Sequence, residues 1–422
     1  MNIFSQKPQI HTLEKLPKFE FQINKLSNEI NVYSTIDKNL DISEIFFILN
    51  KGIWDQKHNL VANFTTRLVV EGTKKYASEF IHEKIDFCGA QLQKSTNTHS
   101  SLFQITMLNR HIEELLPLFF SIFTEPLFDK KEFELIRNIF KQRYIVDNKR
   151  IENIAYDNLN ELLFSKDNAY GKFAKLEDYD NLKIEWIKEF WAENFKVQNL
   201  TIVVISKTPE FIIKEIDKYF GKIKNQKPDI IEDYRIPITK SATKKSTMPN
   251  SLQSAVRLGW RIEDFSKEEK YKLNILVTAL GGYFGSRLMK NIREEKGLTY
   301  SIYANMPIYK YAGSIQIASE VNSKFKNKVI DEIIKEVIDL QTKEIDAEEL
   351  NRTKNYIQGQ LLRSIDGNFK FGKFLAWIIA HNRDWDYIEQ YNRAILNVNS
   401  EEIMHLANKY LPIENCFKVI VG

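Results

Sequence analysis

The sequence predicts an α+β protein built as two copies of one unit of roughly 200 residues, each a sheet packed with helices. Three observations carry this prediction. Short alternating or β-branched runs recur between helix-like segments in both halves. Two helical landmarks recur at nearly the same offset. Between them lies GKIKNQKPDIIEDYRIPITKSATKKSTMPN, rich in Lys, Pro, Ser and Thr and without helical period. The expected organisation is a unit over 1–220, a linker over 221–250 and a second unit over 251–422.

The strand-like runs of the first half are INVYS (30–34), EIFFILNKG (44–52), LFQITML (102–108) and NLTIVVIS (199–206). Those of the second half are SAVRLGW (254–260), YSIYANM (300–306), AGSIQIASE (312–320) and FKVIVG (417–422). For the helices, DKKEFELIRNIFKQR (129–143) lies over DAEELNRTKNYIQGQ (346–360). Each opens on an Asp at an N-cap position, with acids in its first turn. Likewise IEWIKEFWAENFKVQNLTIVVIS (184–206) lies over SEEIMHLANKYLPIENCFKVIVG (400–422), with Asn199 and Asn415 standing 216 residues apart. In the second half SRLMKNIREEK (286–296) reads as a helix with Leu288, Met289 and Ile292 on its apolar face. Gly297 reads as its left-handed C-cap. A strand follows, in which Leu298, Tyr300 and Ile302 alternate with Thr299, Ser301 and Tyr303. Arg293, in the last helical turn, and Tyr300, three residues past the glycine, are expected to converge outside the sheet.

Bulk properties narrow the function by exclusion. The 422 residues are 43% hydrophobic and 27% charged, enough for two ordinary cores. Sixty basic residues against 56 acidic ones leave a net charge of +4, too balanced for an electrostatic nucleic-acid binder. Two cysteines, Cys88 and Cys416, supply neither a disulfide framework nor a metal-binding Cys cluster. They read as free thiols of a reducing compartment. The N-terminal stretch lacks a secretory pattern, and no run has the roughly 18 apolar residues of a membrane span. The expected location is the cytoplasm, or the periplasm for a chain whose signal has been removed. No phosphate-binding loop is present, since Gly281, Gly282 and Gly285 lie between helical segments. His82-Glu83-Lys84-Ile85-Asp86 is one residue short of H-E-x-x-H and reads as an exposed helix turn. The other histidines stand singly, and among them only His99 is expected at a sheet edge.

VTALGGYFGSRLMKNIREEKGLTYSIYA (277–304) resembles the second-domain signature of the pitrilysin/insulinase family of zinc peptidases, which includes the mitochondrial processing peptidases. The first half is similar in order: KLSNEINVYS (25–34) to the family's opening strand, NKGIWDQKHNLVANFTTRLVVEGTKKY (50–76) to the segment carrying its metal motif, and FCGAQLQKSTNTHSSLFQITM (87–107) to the strands after it. The resemblance covers nearly the whole chain. It implies two duplicated domains with mostly antiparallel sheets, the processing-peptidase-like metallohydrolase fold.

In that family zinc is held by an inverted H-x-x-E-H motif on one helix and a Glu from a later helix. Anchored on Glu71-Gly72-Thr73, the motif falls on Asn63-Phe64-Thr65-Thr66-Arg67. Asn63 and Arg67 then stand at the two His positions, Thr66 at the general base and Arg143 at the later Glu. Guanidinium groups do not ligate metals. The resemblance therefore implies no zinc in this chain. At Gln93-Lys94 the family has a small pair on the strand that lines the substrate, so this edge has also changed.

The family's catalytic centre is shared, and an arginine and a tyrosine seven residues apart close over the substrate from a second-half domain. Arg293 and Tyr300 have that spacing within the matching motif. The resemblance implies a non-metal-binding subunit of a heterodimeric zinc peptidase, with zinc in a homologous H-x-x-E-H partner and a peptide as substrate. The alternative is a catalytically dead scaffold or peptide-binding subunit of a larger complex. Neither reading calls for nucleic acid or a membrane span.

Overall fold

The computed structural model describes residues 16, 20–225, 236–249, 251–263, 266–383 and 385–422. Its first sheet contains β1 (Gln22–Lys25), β2 (Asn31–Ile36), β3 (Ile42–Leu49), β4 (Gln91–Thr96), β5 (Ser101–Leu108) and β6 (Leu200–Ser206). Their order across the sheet is β1-β2-β6-β3-β5-β4. The second sheet contains β7 (Thr243–Ser246), β8 (Gln253–Ile262), β9 (Thr299–Asn305), β10 (Gly313–Asn322) and β11 (Phe417–Val421), in the order β7-β11-β8-β10-β9. Both sheets are antiparallel except for one parallel pair each, β2 with β6 and β11 with β7. Every strand-like run named from the sequence coincides with a strand. The stretch expected to be a linker contains β7. Residues 226–235 and 250 of that stretch lie outside the described residues.

The central strands are the most apolar, as strands covered on both faces must be. In β3 all seven residues from Ser43 to Leu49 are buried, and Ile45 and Phe47 face Ile105 and Phe103 of β5. Helices α1 (Val61–Leu68), α2 (Ser78–Phe87), α3 (Ile112–Thr124) and α4 (Lys130–Asp147) belong to the first half. Both expected caps form. The Asp129 carboxylate accepts from the Lys131 and Glu132 amides at the start of α4, and Asp346 accepts from the Glu349 amide.

The halves interlock through exchanged helices. Helix α5 (Ile151–Phe164) comes from the first half, yet its Ala155, Leu159 and Leu163 pack on Ala255, Phe417, Val419 and Val421 of the second sheet. Helix Asn368–Ala380 comes from the second half and lays Leu375 and Ala376 on Phe46, Ile48, Val203 and Ile205 of the first sheet. These two helices start 217 residues apart. Gly372 permits the second crossing, because a Cβ there would lie 2.1 Å from the Ile205 side chain.

Candidate functional site

The positions matched to a zinc motif do come together, but their chemistry is not that of a metal site. Asn63, Thr66 and Arg67 lie on α1. Thr66 is buried; its hydroxyl donates to the Ala62 carbonyl at 3.1 Å and accepts from the Thr96 hydroxyl of β4 at 2.8 Å. Phe140 of α4 is stacked by two cations, with the Arg67 guanidinium 4.0 Å and the Arg143 guanidinium 5.4 Å from its ring centre. Burial lowers the pKa of Arg67, and the neighbouring charge of Arg143 adds to that. Lys94 of β4 brings a third cation. Burial lowers its pKa against the pull of Glu71, whose carboxylate lies 3.6 Å away. The α1–α4 pair thus presents an amide, a hydroxyl and guanidinium groups where a divalent cation needs neutral imidazoles and carboxylates. These residues do not fit zinc. Phe140, which the helical spacing of 129–143 marks as an apolar position along with Phe133 and Ile136, precedes Arg143 by one helical turn.

The near-miss H-E-x-x-D turn has partners of its own. His82 Nε2 lies 2.8 Å from Glu71, and Lys84 pairs with Glu114. Glu71 is also the acceptor for the Ser78 hydroxyl at 2.9 Å.

The second cluster lies at β9, an edge strand of the second sheet. Chain segment 287–295 is helical, but residues Met289–Glu295 form a π-helical turn. Such turns are concentrated at functional sites. Gly297 has φ +58°, the left-handed cap expected from the sequence. Arg293 is half-buried and stacks its guanidinium 5.0 Å above the Phe284 ring.

The simple alternation expected for β9 is broken. Ser301 pairs with Glu320 and Thr299 with Val321, so Tyr300 is the extra residue of a β-bulge. As a result Thr299 is buried while both Tyr300 and Ser301 face solvent, and Tyr300 is 91% exposed rather than sharing the face of Ile302. The bulge is held from below. The Thr299 hydroxyl donates to the Glu320 carbonyl at 2.6 Å, and the Ser319 hydroxyl lies 2.9 Å from the Ser301 carbonyl and 3.2 Å from Thr299 Oγ1. Replacing Thr299 by Val keeps the shape but strands buried acceptors. The expected cost is about 1–3 kcal/mol, read as a lowered urea midpoint. Among the described residues β9 pairs only with β10, so its outer edge is open there, as is that of β4 in the first sheet. The structure does not bring Arg293 and Tyr300 into contact; one rests on Phe284 and the other points outward.

Between the halves lies a cavity of about 1080 Å³, lined by Trp54, His99, Tyr309, Tyr311 and His381 among others. His99 Nε2 lies 2.7 Å from the Tyr170 hydroxyl, which also accepts from the Tyr311 amide at 3.2 Å. Burial, with Lys310 and His381 nearby, lowers the His99 pKa from 6.5 to about 4. The unfolded chain therefore binds more protons here between those values. The stabilising contribution is fully present above about pH 6.5 and is lost as pH falls toward about 4. His99→Gln is expected to narrow the gap between urea midpoints measured at neutral and mildly acidic pH.

Sequence profiles now place the chain. One described as "Insulinase (Peptidase family M16)" matches residues 54–174, and one described as "Peptidase M16 inactive domain" matches residues 181–357. The chain belongs to the M16 peptidase family. It is 22% identical to the "Uncharacterized zinc protease YmxG" of Bacillus subtilis, over 73% of this chain and 75% of that one. It is 20% identical to the "Mitochondrial-processing peptidase subunit beta" of Saccharomyces cerevisiae, over 82% of this chain and 79% of that one. Among solved structures, the "peptidase M16 inactive domain from Pseudomonas fluorescens" superposes with a TM-score of 0.87 at 18% identity, covering 96% of this chain and 98% of that one. The chain is an inactive M16-like protein, and Asn63, Thr66, Arg67 and Arg143, at the positions matched to the zinc motif, offer neither an imidazole nor a carboxylate. No helix among the described residues is long and apolar enough to cross a membrane. Cys88 and Cys416 are both buried and unbridged.

Proposed function

We propose that this chain is the non-metal subunit of a heterodimeric zinc peptidase. The partner is a homologous chain that keeps H-x-x-E-H and holds the zinc. This chain contributes Arg293 and Tyr300 to the partner's site. The single observation that supports the reading is Tyr300, carried outward by a bulge at an open sheet edge, where the fold itself makes no use of its hydroxyl.

The chemistry follows from where charge develops. Water attack on a peptide carbonyl creates an oxyanion, and a preorganised O–H or guanidinium donor aimed at it lowers the barrier by about 2–4 kcal/mol. Tyr300 is the donor in this scheme. Arg293 leaves its stacked position on Phe284 to grip a substrate carbonyl. The peptide lies extended, added as a strand to the partner's sheet edge.

A scaffold reading draws on the same geometry, since Arg293 is stacked on Phe284 rather than directed at Tyr300. A mixing assay separates the two. Cleavage of an unstructured peptide is followed for this chain, for an H-x-x-E-H homologue from the same genome, and for the mixture. Activity that appears only in the mixture supports the half-site. A homologue fully active alone and unchanged by mixing leaves this chain as a scaffold.

A further inference from the structure

We propose that Cys88, His111 and Glu114 form a zinc-type metal site, unrelated to the lost catalytic one. Cys88 follows the last turn of α2, while His111 and Glu114 stand at the start of α3. A thiol sulfur, an imidazole nitrogen and a carboxylate oxygen from these residues lie within 4.8 Å of one another. Cys88 Sγ is 3.6 Å from Glu114 Oε2, and His111 Nδ1 is 3.3 Å from the same oxygen.

Those spacings match a coordination shell. With Zn–S of about 2.3 Å and Zn–N and Zn–O of about 2.1 Å, a tetrahedral centre separates S from O by about 3.6 Å and N from O by about 3.4 Å. The third spacing, from sulfur to nitrogen, lies within 4.8 Å and closes to about 3.6 Å in such a shell. The donor set, one thiolate, one imidazole and one carboxylate, suits a borderline-soft divalent ion and not calcium or magnesium. Three protein ligands leave the fourth position for water.

Binding balances charge. The ion displaces the Cys88 thiol proton to solvent, and the thiolate and the Glu114 carboxylate together neutralise the divalent charge. His111 ligates as the neutral ring through Nδ1. One existing contact must yield: a neutral ring that ligates through Nδ1 carries its proton on Nε2, to which Arg110 Nε now donates at 3.2 Å. Arg110 is exposed and can turn to water. Lys84 pairs with Glu114 Oε1, while the thiol and the imidazole face Oε2, so its ammonium stands beside the ion as a repelling charge. The site ties the end of α2 to the start of α3 within the first half. It involves no partner chain, so its fate is independent of the heterodimer reading.

The test uses Co²⁺, which reports thiolate ligation by a near-ultraviolet charge-transfer band, whereas Zn²⁺ is spectroscopically silent. The metal-free full chain is titrated with Co²⁺. The expected result is a band saturating at one ion per chain and abolished by Zn²⁺. It is expected to vanish in Cys88→Ser and to persist in Cys416→Ser. His111→Gln and Glu114→Gln are expected to weaken Co²⁺ binding at least about tenfold. Lys84→Met is expected to tighten it severalfold, a gain that misfolding does not produce. Absence of the band, its survival in Cys88→Ser, or weaker binding in Lys84→Met overturns the site.

Discussion

Tyr300→Phe is expected to lower kcat of the assembled peptidase about 10²–10³-fold, the loss of one well-aimed oxyanion donor. The substitution deletes a single oxygen from a side chain that is 91% exposed. Its effect on folding stability is therefore expected within about 0.5 kcal/mol. Assembly with the partner and KM are expected to change much less than kcat, because the lost interaction is made only with developing charge. Arg293→Ala is expected to act in the same direction with a larger share in KM, since the proposed half-site has Arg293 grip the substrate as well. Steady-state kinetics on the reconstituted pair, with melting curves of the variant chains, separate these effects. Full activity in both variants would remove Arg293 and Tyr300 from the mechanism and leave the scaffold reading.

What could be read from the sequence was whatever is local in the chain. The strands of both sheets announced themselves through β-branched runs such as LTIVVIS (200–206). The two Asp caps were visible because a cap and its acceptor amides lie within one helical turn. The absence of imidazole and carboxylate at Asn63, Thr66, Arg67 and Arg143 was visible because these residues fall at fixed places in a resembled motif. What escaped depends on partners distant in the chain. The bulge at Tyr300 exists only through pairing with Glu320 and Val321, so the strict alternation that grouped Tyr300 with Ile302 and Thr299 with Ser301 does not hold. β7 was hidden in a basic, Pro-containing stretch because its four residues form a strand only beside β11, more than 170 residues on. Cys88 and His111 each looked solitary, since 23 positions separate them in the chain and only the packing of α2 beside α3 joins them.

The crossing of α5 onto the second sheet leads to the largest expected stability effect. Leu159 is fully buried, and its methyl groups lie over Gly259 of β8, where no side chain intervenes. Leu159→Ala removes three carbons from a contact that joins the halves. Neither the helix nor the sheet can collapse into the gap without disturbing the other half, so the cavity persists. The expected cost is about 2–5 kcal/mol, read as a lowered urea midpoint. Leu135→Ala on the outer face of α4 is the control, since Leu135 is 55% exposed; its expected cost is within about 0.5 kcal/mol. The two readings of the interlock differ in where protection is lost. If the exchanged helices bind the halves into one cooperative body, Leu159→Ala raises hydrogen exchange in β8 and β11 and also in β3 and β6, which lie under the reciprocal helix Asn368–Ala380. If exchange rises only in the second sheet, the halves open separately and the crossing helices are no more than local covers.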